Sequence, residues 1–197
     1  MNRKQNHEVE VRAIINGKNK KDLEEKIMML GFEFIEEEQL EDDYFCKNEV
    51  SDFSEVEMND IGSFSLRLRK KNAKGRIANE LNMKVITKEG DHSGWDEHEV
   101  EIGSLDNMAS ILKLMGYKIF FSFKKTRYVF KKHNCEILLE DISDLGLAIE
   151  IEIMTEEEKA VEAKREIYKL MESLKIDLSN KVPKSITNML MKKNSHF

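Results

Sequence analysis

A chain of 197 residues, 40% hydrophobic with a single proline, is long enough for one folded domain with a substantial core. Its net charge of −6, from 32 basic and 38 acidic side chains, argues against nucleic acid or an anionic membrane as a partner. No apolar run nears the roughly 18 residues that span a bilayer, and the first seven residues lack the apolar stretch of a signal peptide. The expected compartment is therefore the cytoplasm, where Cys46 and Cys135, far apart and outside any CxxC pattern, read as two reduced thiols.

Taken in order, His7-Glu8-Val9-Glu10-Val11-Arg12-Ala13 alternates with a period of two, apolar on one face and ionic on the other, which predicts a strand. Residues 20–30 predict an amphipathic helix over Leu23, Ile27 and Leu30, stopped by Gly31. A second strand is expected over 39–47, then a polar loop over 48–62 long enough to lie across one mouth of a barrel. Strands follow at 64–71, 80–87 and 96–102, with a hairpin connection at 88–94. Ser104 caps a helix that ends at Gly116, and two long strands then turn near His133-Asn134. The eighth strand covers 147–154. Thr155 and Glu158 resemble a capping box opening a helix to about Leu174, and Pro183 starts a last short helix carrying Ile186, Met189 and Leu190.

Five of these strands pair an apolar face with an ionic one. The apolar faces must be covered and the ionic faces need water, and a closed antiparallel barrel with a charged lumen and helices outside meets both demands. The expected fold is thus α+β, an eight-stranded closed barrel. Residues 1–197 form one domain, and helices within 155–197 pack on the barrel.

Inward positions give an acidic set of Glu8, Glu10, Glu97, Glu99, Glu101, Glu140, Glu150 and Glu152, and a basic set of Arg12, Arg67, Arg69, Lys84, Lys125 and Arg127. Enclosed charges must be paired or hold ions. Carboxylates spaced i, i+2 on several strands suit Mg²⁺ or Mn²⁺, and the candidate ligands are Glu8, Glu10, Glu99, Glu101, Glu140, Glu150 and Glu152. Arg67, Arg69, Lys84, Lys125 and Arg127 would grip an anion with many oxygens, such as an oligophosphate. A self-satisfied ion-pair lattice with no ligand is the alternative on physics alone.

The motifs resemble a known family. Glu8-Val9-Glu10-Val11-Arg12 is similar to the ExExK motif of the CYTH domain, the triphosphate tunnel metalloenzymes that include class IV adenylyl cyclases and the thiamine and inorganic triphosphatases. Asp43-Tyr44-Phe45 resembles the family's D-x-Y-F segment, Leu66-Arg67-Leu68-Arg69 its LRxR strand, Lys84 its mid-chain lysine, and Lys125-Thr126-Arg127 its KxR strand. Leu145-Gly146 with Glu150-Ile151-Glu152 resembles the closing LGxxxExE, and residues 184–190 the tail of the cyclase-like branch. The resemblance implies a triphosphate-binding tunnel with Glu8, Glu10, Glu150 and Glu152 as metal ligands, the five basic residues as phosphate contacts, and Arg12, Glu10 and Glu140 as the catalytic group.

Three positions depart from the family. Arg12 replaces the lysine that serves the attacking water in triphosphatases, Glu140 replaces an Asp, and Glu97 stands where many members are basic. The implied activity is cyclase-like conversion of ATP to cyclic AMP and pyrophosphate. Hydrolysis of tripolyphosphate or thiamine triphosphate is the second reading, and a non-catalytic nucleotide- or polyphosphate-binding module the third. Apolar faces left outside the helices leave room for a homodimer.

Overall fold

The computed structural model describes residues 7–15, 17–58, 60–86, 95–182 and 189–190. In chain order it contains β1 (His7–Ile14), α1 (Lys20–Met29), β2 (Glu33–Lys47), β3 (Phe64–Ala73), β4 (Arg76–Ile86), β5 (Trp95–Glu101), α2 (Leu105–Leu114), β6 (Tyr117–Lys132), β7 (Cys135–Ile142), β8 (Gly146–Thr155) and α3 (Ala160–Ser173). The strands form one eight-stranded antiparallel sheet in the order β1-β8-β7-β6-β2-β3-β4-β5. The barrel is not seen to close. Strands β1 and β5 end the order, and among the described residues no ladder joins them. The outer edge of β1 is instead met by the chain after α3: Ala13 bridges to Lys181, and the Val182 amide donates to the Arg12 carbonyl at 2.9 Å. The hairpin expected at 88–94 and the helix start expected at 183–188 lie outside the described residues.

The chain divides into two compact units, one of Met1–Glu37 with Thr126–Pro183 and one of Glu38–Lys125 with Lys184–Phe197. In the first, the period-two pattern of β1 and β8 places apolar opposite apolar: Val9 registers with Ile153, Val11 with Ile151, and Ala13 with Ile149. Ile137 and Leu139 of β7 extend that face, which α1 covers with Leu23 and Ile27, and α3 with Ala163, Ile167 and Met171. Each such fully buried side chain contributes roughly 1.5–3 kcal/mol relative to exposure. Helix α1 starts because the Asn19 side chain accepts from the Lys21 amide, and it stops because Gly31 turns the chain at φ +86°, a conformation glycine adopts without strain. The capping box expected at Thr155 is absent. Thr155 is still in β8, a 3₁₀ turn over Glu157–Lys159 intervenes, and the cap residue of α3 is Lys159, which makes no side-chain capping bond.

In the second unit the same rule puts Phe45, Leu66 and Leu68 on one face with Leu81 and Met83, and α2 covers them with Leu105, Met108 and Leu112. Ser104 opens α2 by accepting from the Asn107 amide at 3.2 Å, as its position predicts. Strands β2 and β4 begin earlier than the sequence suggests, at Glu33 and Arg76. Their added residues carry no clean alternation. The 48–62 segment is also more ordered than a polar loop: it holds a 3₁₀ turn (Phe53–Glu55) capped by Asp52 and buries Val50 and Met58.

Core packing gives a direct test. Ile167→Ala is expected to cost about 2–5 kcal/mol of unfolding free energy by chemical denaturation, because Ile167 is fully buried. Val161→Ala, on the exposed side of the same helix, should stay within about 0.5 kcal/mol.

Candidate functional site

The faces opposite the two cores carry the charges. In the first unit, Glu8, Glu10 and Arg12 of β1 meet β8 in register, Glu10 opposite Glu152 and Arg12 opposite Glu150. Cross-strand neighbours at this spacing touch, and they do. The Arg12 Nη2 donates to Glu10 Oε2 at 2.8 Å and forms an ion pair with Glu150 Oε1. Glu150 is almost wholly buried, and that oxygen, though against the guanidinium, has no hydrogen bond of proper geometry. Burial disfavours both charges, but the attraction of Arg12 outweighs it and holds Glu150 well below the usual carboxylate range. Arg12 in turn is raised well above its ordinary value: burial opposes this, and Glu150 and Glu10 overcome it.

Glu152 behaves in the opposite way. Burial and the charges of Glu150 and Glu8 push its carboxyl up to about 10, against the pull of Arg127. Like charges crowded together are what a divalent ion would relieve. Glu8, Glu10 and Glu152 each offer a carboxylate oxygen, and these atoms lie within 4.8 Å of one another. Three hard oxygen donors suit Mg²⁺ or Mn²⁺, so the residues fit the metal expected from the sequence. Glu140, on β7, is buried and takes a 2.8 Å bond from Arg127 Nε. The three converging carboxylates thus come from the predicted ligand set, whereas Glu140 and Glu150 face arginines.

In the second unit the charged face is built from β2, β3, β4 and β5. Arg69 Nε and Nη2 each donate to one oxygen of Asp42 at 2.7 Å, a two-pronged bond in which the acid side chain is 1% exposed. Burial works to raise the Asp42 carboxyl, but Arg69 overrides it and holds the group below its ordinary value. Arg67 donates through Nε to Asn82 Oδ1 at 3.2 Å and through Nη1 to the Tyr44 hydroxyl at 3.4 Å. Asn82 donates onward to Glu99 Oε2 at 2.6 Å, and Lys84 pairs with Glu97 Oε2 at 3.0 Å. Glu101 registers opposite Glu80, whose carboxyl is raised by burial and by Glu99. Glu99 and Glu101, expected as metal ligands, therefore lie in the second unit among Asn82 and Glu80, outside the group formed by Glu8, Glu10 and Glu152. Lys125 also belongs to this unit, where its charge helps lower Asp42.

Asp42, Tyr44, Glu80 and Asn82 were not among the expected site residues. The signal was available for Asp42: counting back by two from Tyr44 puts Asp42, not Asp43, on the Arg67–Arg69 side. Asp43 turns the other way and accepts from the Ser122 hydroxyl.

Comparison with known proteins follows this arrangement. Residues 6–186 match the family model described as the CYTH domain. The curated protein "Putative adenylate cyclase MJ0240" of Methanocaldococcus jannaschii is 30% identical over 184 residues, covering 90% of this chain and 95% of that protein. The solved PH1819 protein of Pyrococcus horikoshii OT3 aligns with a TM-score of 0.77 at 28% identity, over 95% of this chain and 100% of its own. A structure titled as a "putative adenylate cyclase" from Vibrio parahaemolyticus shares the fold, with a TM-score of 0.74 at 20% identity over 93% of this chain and 97% of its own.

Two outcomes are expected. Asp42→Ala leaves a buried guanidinium unpaired and should cost about 3–5 kcal/mol in denaturant unfolding. For Glu152, a folded value above the unfolded one means that its contribution is present below the unfolded value near 4.5 and is lost as pH rises towards about 10. Glu152→Gln should therefore raise the melting temperature of the metal-free protein more at pH 8 than at pH 4.5, as read by thermal melts in chelator.

Proposed function

The chain belongs to the CYTH domain family, and from that membership we propose that it is a metal-dependent enzyme acting on triphosphates, working as one CYTH-type domain. Its reaction is cyclase-like, converting ATP to cyclic AMP and pyrophosphate. The observation that carries the metal-dependent reading is the group formed by Glu8, Glu10 and Glu152, whose carboxylate oxygens converge within 4.8 Å of one another.

Glu8, Glu10 and Glu152 would hold Mg²⁺ or Mn²⁺. When bound, that cation supplies Lewis-acid polarisation of phosphate oxygens and offsets the charge of the leaving group. The protein's own part in phosphoryl transfer is positioning and charge neutralisation. Arg67, Lys84, Lys125 and Arg127 bind phosphate oxygens, and Glu140 fixes Arg127 through its Nε bond. Asp42 fixes Arg69, so the two neighbouring arginines of β3 differ: Arg69 is committed to a buried carboxylate, and Arg67 carries its charge to the ligand.

Arg12 bears on how the nucleophile is activated. A guanidinium stays protonated at any working pH, and this one is raised further by its carboxylates. It orients Glu10 and Glu150 but accepts no proton from a water. In cyclisation the substrate's own ribose hydroxyl attacks in place of water and pyrophosphate leaves, and the hydroxyl proton, like that of a water, passes to an acceptor other than Arg12. The cyclase reading therefore draws on the resemblance of the motifs to the cyclase-like branch.

Incubation of the purified protein with ATP and Mg²⁺ or Mn²⁺ should yield cyclic AMP and pyrophosphate. Glu10→Ala and Glu152→Ala should each lower turnover by about a hundredfold or more while the far-ultraviolet circular dichroism stays unchanged. Orthophosphate release from tripolyphosphate or thiamine triphosphate without cyclic AMP would replace the cyclase reading with hydrolysis. Tight binding without turnover would replace it with a binding module.

A further inference from the structure

On the charged face of the second unit one carboxylate stands between two cations. Glu97, on β5, bridges them, with Oε2 at 3.0 Å from Lys84 Nζ and Oε1 at 3.9 Å from Arg67 Nη2. One planar group thus presents an oxygen to each of two basic side chains, as a phosphate would. We propose that Glu97 is a resident counter-anion for Lys84 and Arg67, and that a phosphate of the substrate takes its place by displacing it.

The contrast with Asp42 on the same face supports this. Asp42 is 1% exposed and grips Arg69 with two bonds of 2.7 Å, so it is a permanent partner. Glu97 is 37% exposed, and its partner Lys84 31%. An exposed ion pair of that kind is weak, because water and salt screen it and long side chains must be ordered to make it. The close hydrogen bonds of Arg67 go to neutral groups, Asn82 and Tyr44, which orient the guanidinium without cancelling its charge. Two carboxylates stand 3.9 Å from Arg67: Asp42, which is locked in place by Arg69, and Glu97, which is exposed at the end of a flexible side chain and so is the one able to move away. A ligand carrying several negative charges outcompetes a single carboxylate for both cations. Glu97 then sets how many charges a ligand must bring before it binds, and so discriminates against weakly charged anions.

The inference rests on the triphosphate reading above, and the test separates the two. Calorimetric titration of the whole protein with inorganic tripolyphosphate in Mg²⁺ would be run on the wild type, on Glu97→Gln, and on Glu41→Gln. Glu41 is an exposed acid on β2 that pairs with Lys70 and Lys124, so its variant makes the same charge change elsewhere. Glu97→Gln should bind about fivefold more tightly than the wild type, the effect of one weak ion pair removed, and the gain should shrink at high salt. Glu41→Gln should bind as the wild type does. Equal or weaker binding by Glu97→Gln overturns the proposal while leaving the triphosphate reading in place. Absence of binding by the wild type and Glu97→Gln alike overturns both.

Discussion

A charge taken out of water must be met by an opposite charge or a hydrogen bond at contact distance, or it costs several kcal/mol. That constraint shapes both units. Each uses the period of two along its strands to send apolar side chains to a helix-covered core and ionic ones to the other face. The ionic face then becomes an exercise in pairing. In the first unit, Arg12 lies between Glu10 and Glu150, and Arg127 lies on Glu140. In the second, Arg69 closes on Asp42, and Glu38 pairs with Lys71. The deeply buried carboxylates named here each have an arginine or lysine.

The faces of the strands were legible because alternation is a local property. Val9-Glu10-Val11, Leu66-Arg67-Leu68 and Ile149-Glu150-Ile151 each declare which side is which without knowledge of the neighbours, and the register then puts Arg12 opposite Glu150 and Arg67 opposite Asn82. Pairing was not legible, because it is decided across strands. Nothing in the letters says that Asp42 reaches Arg69, that Glu99 accepts from Asn82, or that Glu150 answers an arginine. Among the expected ligands, Glu99, Glu140 and Glu150 have side-chain partners that alternation along one strand does not reveal. Closure of the barrel failed to appear for a similar reason. Alternation predicts that a face must be covered and says nothing about what meets the outer edge of β1, where Lys181 and Val182 arrive from a distant part of the chain.

Substitutions at the motif positions are informative when read as changes in pairing. An arginine at position 12 places a delocalised, always-charged guanidinium where a lysine would place a point charge, and here one of its nitrogens, Nη2, meets two carboxylates at once, Glu10 and Glu150. This ties Glu150 to the arginine and lowers its carboxyl, while Glu152, two residues on, keeps its charge suppressed by the same neighbours. The Glu150-Ile151-Glu152 pair is thus divided: Glu150 is held ionised against Arg12, and Glu152 is crowded by burial and by the charges of Glu150 and Glu8.

The same division exists in the second unit, built from different residues. Arg69 is gripped by a buried acid from the neighbouring strand, and Arg67, two residues earlier, gives its hydrogen bonds to an amide and a phenol and meets the same acid only at 3.9 Å. In both units, then, adjacent members of an i, i+2 motif share a face but not a state, and the difference comes from one cross-strand neighbour. Strength of pairing sorts the groups: a guanidinium gripped on both prongs inside the protein stays where it is, and an ion pair open to water exchanges. A charged face assembled this way keeps its shape through the fixed pairs, and its loose pairs are the ones that solvent and salt can open.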